Sequence, residues 1–240
     1  MSKRHRQSVK ASKRKRQEAR HPRRRAAYLP YVIVVAVAGA LVAALFVVTL
    51  GGSGTEDVEA AYPVGYTPPV QGDPDAPVEL VMWGDFQCPF CKRFETETLP
   101  RIRSEYVDTG KVKLVWRNFE HYGRESEDAA VAAYCAGEQG QFWEYHDTLY
   151  RVQGGINSGA FSPPRLIQLA QEHQLDIASF EACQSQFKYD AVLSADYNRG
   201  ISQGVTGTPG FFVNDEYISG AQPFEVFASV IDNELIAAGP

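Results

Sequence analysis

Cysteine is scarce in this chain: four residues in 240, of which only Cys88 and Cys91 stand close together. A chain of this length with 44% hydrophobic residues can supply a proper core, so size alone does not demand disulfide staples. A second close-spaced Cys or His pair is missing. Cys135 and Cys183 are 48 residues apart with no histidine near them, which speaks against the usual ligand spacing of a zinc site. No cysteine lies near residue 50, so no thiol is available there for lipid attachment. Internal repeats are absent, and so is low complexity beyond the first 25 residues.

Charge is missing altogether from Ala26 to Leu50, where "YVIVVAVAGALVAALFVVTL" is apolar nearly throughout. At 1.5 Å rise per residue those twenty residues cover roughly the 30 Å of a bilayer core. Tyr28 and Tyr31 suit the headgroup layer, and Pro30 is tolerated in a first turn. Residues 1–25 carry twelve Lys/Arg against one acid, Glu18, whereas residues 51–240 carry twelve against twenty-eight. The two parts are thus +11 and −16 by subtraction, and the positive-inside rule puts the N-terminus in the cytoplasm with everything after Gly51 outside. The basic tail has too few apolar residues to fold and reads as a topology signal in contact with lipid, not as a nucleic-acid arm. A cleaved signal peptide would have an apolar region of only about 7 to 15 residues ending at a small-residue cleavage site. Here the run continues into "TLGGSGTED", which favours an uncleaved anchor; "RRR" before it resembles a twin-arginine signal weakly.

The expected organisation is a cytoplasmic tail over 1–25, a transmembrane signal anchor over 26–50, a flexible Gly/Pro/acid-rich tether over 51–77 and a domain over 78–237. "VELVMW" (78–83) reads as a strand buried on both faces. "KRFETETLPRIRSEYVD" reads as a helix with Phe94 and Leu99 on its apolar side and a kink at Pro100, ended by Gly110. "KVKLVWRNF" has strand alternation, so the start is a strand–helix–strand unit with a right-handed crossover. An all-helical insert is expected over about 122–204, including a helix capped by Ser162. "GFFVN" and "EYISG" form a hairpin turning at Asn214 and Asp215, and a last helix covers about 223–237.

Two residues between Cys88 and Cys91 make them the natural local pair, which leaves Cys135 and Cys183 for each other or as buried thiols. A purely structural bridge between Cys88 and Cys91 would close almost no loop and constrain the unfolded chain little. A redox role has a mechanism. With Cys88 at a helix N-terminus, unpaired backbone N–H groups and the helix dipole favour its thiolate. Lowering its pKa from about 8.5 to about 5.5 would stabilise the reduced form at pH 7 by roughly 2 kcal/mol, equivalent to about 45 mV. Pro89 fits the first turn and Phe90 adds an apolar surface. Cys88 is then expected to lie exposed to substrates, with Cys91 one turn further in as the resolving thiol.

These residues, "WGDFQCPFCKRF" with "RNF", "YCAGEQGQFWEYHDTLY" and a distant "GVTGTPGFFVN", resemble the DsbA-like thiol-disulfide oxidoreductases of the thioredoxin superfamily over about 78–237. The resemblance implies an α/β thioredoxin fold interrupted by the helical subdomain. It further implies a cis Thr208–Pro209 bond facing the Cys88/Cys91 pair, the alternative being an ordinary trans turn proline. A cis proline would present its backbone for strand-like pairing with a substrate peptide. The best-known periplasmic oxidases have His where this chain has Phe90, which weakens the expectation of strong oxidising power. Asp85 matches an acidic position ahead of the motif, either solvated in its turn or relaying a proton to or from Cys91. Cys135 and Cys183 resemble a second disulfide of some members. His121, His146 and His173 read as structural or surface residues.

The expected function is an extracytoplasmic thiol-disulfide oxidoreductase that introduces disulfides into exported proteins. No cofactor is implied, and the resemblance implies recharging by a membrane-embedded quinone-linked thiol oxidase. The alternatives are a reductase or isomerase, separable by reduction potential, and a non-catalytic thioredoxin-like chaperone or metal-binding module.

Overall fold

The structure is a computed structural model that describes residues 62–186 and 188–239. The expected tail and anchor, and the tether as far as residue 61, lie outside the described residues. Among the described residues no helix is long and apolar enough to cross a membrane.

A five-stranded sheet in the order β1-β3-β2-β4-β5 forms the centre. Its middle strand, β2 (Val78–Gly84), runs parallel to β3 (Val112–Asn118) with Val78 opposite Val112 and Gly84 opposite Asn118. On its other side β2 pairs antiparallel with β4 (Gly210–Val213), which turns at Asn214 into β5 (Glu216–Ser219). Val78, Leu80 and Met82 on one face of β2 are buried, whereas Glu79 and Val81 on the other are only partly covered, so the expected burial on both faces holds fully only at the strand's end, Met82–Gly84. Gly84 is the last residue of that strand, and a Cβ there would sit 2.5 Å from the Trp116 ring, so the position has room only for glycine.

The sheet domain starts earlier than the sequence reading placed it. Residues 62–77, read as part of a tether, pack onto the domain instead. Pro69 O accepts from Trp116 N at 3.0 Å, and β1 (Val70–Gln71) pairs antiparallel with β3. The prolines that suggested a linker favour extended backbone, and extended backbone is what covers the outer edge of β3.

The helix after the cysteines, α1, is made of consecutive pieces: Pro89–Arg93, a π-helical turn Phe94–Thr98, Leu99–Ile102 and a second π-helical stretch Arg103–Val107. The N–H that Pro100 lacks falls where the helix has widened. Phe94 anchors α1 against Phe211 of β4 (ring centroids 4.4 Å apart) and Phe227 (5.2 Å) of the last helix, α7 (Phe224–Ala238).

The insert comprises α2 (Arg124–Gly137), α3 (Phe142–Val152), α4 (Pro163–Glu172), α5 (Ile177–Ser185) and α6 (Asp190–Ser202). Ser162 is the N-cap of α4, but its hydroxyl turns back to Gly159 O. Cys135 of α2 and Cys183 of α5 are joined by a disulfide. Closing a loop across 48 residues stabilises by about 4 kcal/mol in the chain-entropy description. The insert meets the sheet where α6 crosses β3: a Cβ at Gly200 would lie 2.8 Å from Phe119 and from Trp83 Nε1, so only glycine allows this approach.

Candidate functional site

Cys88 is the N-cap of α1, with extended backbone (φ −71°, ψ 121°), and Pro89 opens the helix behind it. Both cysteines are free thiols. Cys88 Sγ lies 3.3 Å from Thr208 O, and the Thr208–Pro209 bond just before β4 is cis. The fold therefore brings Cys88, Cys91, Thr208 and Pro209, 120 residues apart in sequence, to one place.

The two sulfurs have opposite electrostatics. Hydrogen bonding from the Cys91 thiol, then from the Thr208 side chain and the backbone N–H groups of Cys91 and Phe90, outweighs burial and pulls Cys88 from an ordinary 9.0 down to about 6. Burial foremost, then the hydrogen bond with Cys88 and the Cys88 charge, pushes the Cys91 thiol well up. Cys88 therefore carries the charge and Cys91 the proton.

The expectation that Cys88 is openly exposed needs correction: it is only 1% exposed. Thr208 lies over its sulfur, while Phe90, which is 55% exposed with Arg93 over its ring, forms the open surface beside it. Asp85 is likewise no solvated turn residue. It is fully buried, its Oδ1 accepting from Gln87 N and Ser126 Oγ and its Oδ2 from His121 N, each at 2.7 Å. These bonds bind the motif loop to the start of the insert.

Sequence reading missed the other side chains that hold this loop. Gln153, at the end of α3, donates from Nε2 to Phe86 O (2.5 Å) and Cys88 O (3.1 Å), while Gln153 O accepts from Lys92 Nζ at 2.9 Å. Gln87 is buried and pairs with Ser126 and Asn157. Gln87 lies inside the motif and was open to notice; Ser126, Gln153 and Asn157 carry no local signal. Of the histidines, His121 is exposed, His173 pairs with Thr148 Oγ1 at 2.8 Å, and His146 is completely buried. Cys135 and Cys183 lie in the insert, bonded to each other and apart from this site.

A Cys-x-x-Cys pair at the start of a helix, facing a cis proline in a sheet interrupted by a helical insert, defines a thiol-disulfide oxidoreductase of the DsbA-like kind. A family model described as thioredoxin matches residues 66–233, and the chain belongs to that family. Its relatives include a probable disulfide bond formation protein D of Bacillus anthracis, 31% identical over 169 residues that cover 68% of this chain and 76% of the relative. The disulfide bond formation protein D of Bacillus subtilis is 30% identical over 179 residues, 70% of this chain and 77% of the relative. Among solved structures, oxidised BdbD of Bacillus subtilis superposes with a TM-score of 0.66 and 27% identity, covering 70% of this chain and 93% of that one. The match beginning at residue 66 agrees with a domain that includes the strap ahead of β2.

Proposed function

We propose that this chain is a membrane-anchored enzyme that introduces disulfides into exported proteins by exchange through Cys88. The observation that carries this reading is the division of labour between the sulfurs: Cys88 held low at about 6, Cys91 buried and held high. A substrate thiolate attacks Cys88 of the oxidised enzyme, forming a mixed disulfide and releasing the Cys91 sulfur. A second substrate thiolate then displaces the Cys88 thiolate, a good leaving group because of its low pKa. Thr208 and Pro209 offer backbone to the substrate beside the sulfur, which the contact of Cys88 with Thr208 O supports. The three donors on Asp85 support a role in holding the motif loop more than one in carrying protons.

Residues 1–25 are the cytoplasmic tail, 26–50 the anchor and 51–61 the tether, on the strength of charge asymmetry and apolar length. The enzyme then works at the outer membrane surface and is reoxidised by a membrane-embedded quinone-linked partner. The names of the Bacillus relatives support the oxidising direction.

The test is a Cys91→Ala variant of the full chain expressed in cells. Without the resolving thiol, mixed disulfides with exported proteins accumulate on Cys88 and disappear on reduction. Monomeric protein with no adducts, under conditions where exported proteins acquire disulfides, contradicts the proposal.

A further inference from the structure

We propose that Tyr122 is a hydrogen-bond donor to the Cys88 sulfur, a further residue of the exchange site contributed by the entrance to the helical insert. The proposal rests on the reading of Cys88 given above and adds to it a group that steadies the sulfur as it leaves a mixed disulfide.

Sheet topology brings Tyr122 to the motif. Cys88 follows β2, the middle strand, and the strand order puts β3 on one side of β2 and β4 on the other. β3 runs parallel to β2, so the loop leaving β3 emerges at the same end of the sheet as the cysteines. β4 runs antiparallel, so the loop entering it arrives at that end too. Thr208 comes from the β4 side, its carbonyl oxygen 3.3 Å from Cys88 Sγ. Tyr122 comes from the β3 side, a few residues past Asn118, the last residue of that strand.

Asp85 ties the two loops together. Its backbone oxygen accepts from Cys88 N at 3.0 Å, while its carboxylate accepts from His121 N and from Ser126 Oγ, each at 2.7 Å. Tyr122 lies between those two anchored residues, so its backbone is fixed relative to the motif loop. Its ring is partly buried and packs against the core cluster that contains both Cys88 and Cys91. Its hydroxyl is a hydrogen-bond partner of the Cys88 side chain. With Thr208 on one flank and Tyr122 on the other, Cys88 is only 1% exposed.

The phenol keeps its proton throughout. Burial, followed by the charges of Cys88 and Asp85, pushes Tyr122 above the ordinary 10.0, so at neutral pH it donates a hydrogen bond and does not ionise. The other titratable groups facing it are Cys91 of α1 and, from its own loop, His121, whose ring centroid is 6.5 Å away. In the second exchange step a substrate thiolate bonds to the substrate sulfur of the mixed disulfide. The bond from that sulfur to Cys88 breaks, its electron pair stays on Cys88, and no proton moves. The Tyr122 bond strengthens as charge gathers on the departing sulfur, because a hydrogen bond to an ion is stronger than one to a neutral group. A peptide paired with the Thr208–Pro209 backbone occupies the β4 flank and leaves the Tyr122 flank in place.

The test compares the full chain in detergent with Tyr122→Phe, which keeps the ring and removes only the hydroxyl. Alkylation by iodoacetamide gives the midpoint of Cys88 ionisation, near 6 in the wild-type chain. In Tyr122→Phe the midpoint rises by about one pH unit, a roughly tenfold loss of thiolate stabilisation. The equilibrium with glutathione then shifts toward the disulfide form by about fivefold at pH 7 and about ninefold at pH 8, and hardly at all at pH 5. A ring that only fills space would leave both the midpoint and this pH dependence unchanged. A second readout needs no altered protein in the titration itself. With carbon-13 at the hydroxyl-bearing ring carbon of tyrosine, the Tyr122 resonance follows Cys88 ionisation through pH 6 in the reduced chain and stays flat there in the oxidised chain. A wild-type midpoint near 6 that Tyr122→Phe leaves unmoved overturns the proposal, as does a Tyr122 resonance indifferent to Cys88 ionisation. A wild-type midpoint near 9.0 would instead overturn the reading of Cys88 beneath it.

Discussion

Replacing Cys88 by Ser is expected to reduce oxidation of a reduced test protein to the uncatalysed background. The loss is at least about a thousandfold, or about 4 kcal/mol of transition-state stabilisation. A serine hydroxyl can still reach Thr208 O and cap α1, so the fold survives the change. It cannot ionise near neutral pH or accept and release a sulfur partner, and every exchange step passes through that atom. Catalysed oxidation of reduced protein substrate, followed by free-thiol counting, measures the loss. A thioredoxin-like chaperone that only holds unfolded chains would suppress their aggregation equally well after the Cys88→Ser change. Retained oxidation by Cys88→Ser would remove Cys88 from the mechanism.

Replacing Asp196 by Ala is expected to cost about 3 to 5 kcal/mol of folding stability, the range for deleting one partner of a buried ion pair. Asp196 is fully buried on α6, where desolvation raises its pKa and four partners oppose that shift. Arg117 Nη1 and Asn118 N of β3 donate at 3.0 Å, Tyr134 OH of α2 at 2.9 Å and Tyr62 OH of the N-terminal strap at 2.6 Å. One carboxylate thus joins strap, sheet and two helices of the insert, beside the Trp83 indole that donates to its backbone oxygen at 3.2 Å. Losing it leaves Arg117, whose side chain is 12% exposed, without its counter-ion. Urea unfolding of wild type and variant gives the difference directly. A change under about 1 kcal/mol would mean that the network is solvated in solution and does not anchor the insert.

Much of this architecture was legible from local pattern. Alternation in "KVKLVWRNF", the turn at Asn214 and Asp215, and the prolines opening α1 and α4 each name their element through a short-range rule. The strap did not announce itself, because two residues of strand whose partner lies more than 40 positions away leave no periodicity, and "PPVQGDPDAP" has a linker's composition. The cysteine pair was plain, but the exposure of Cys88 depended on Thr208, which arrives over it from 120 residues away. Asp85, Glu95 and Asp196 look like surface residues in a one-dimensional reading. Their burial is decided by tertiary partners, and a buried polar group is recognisable only once those partners are known.

The central claim is that Cys88 is a thiolate at neutral pH, and its sign with pH is definite. The reduced state gains from ionisation above about 6 and loses that gain as pH falls through 6, while the disulfide form has no thiol to ionise at Cys88. At pH 7 the gain over an ordinary thiol is about 1 to 2 kcal/mol, a few tens of millivolts of oxidising power. The most direct measurement is the rate of alkylation of the reduced full chain as a function of pH, with mass spectrometry locating the first modified cysteine. The expected result is modification at Cys88 with a midpoint near 6, Cys91 resisting, and the midpoint moving upward in Cys91→Ala because the strongest donor to the Cys88 sulfur is gone. A midpoint near 9.0, with both cysteines reacting alike, would contradict it.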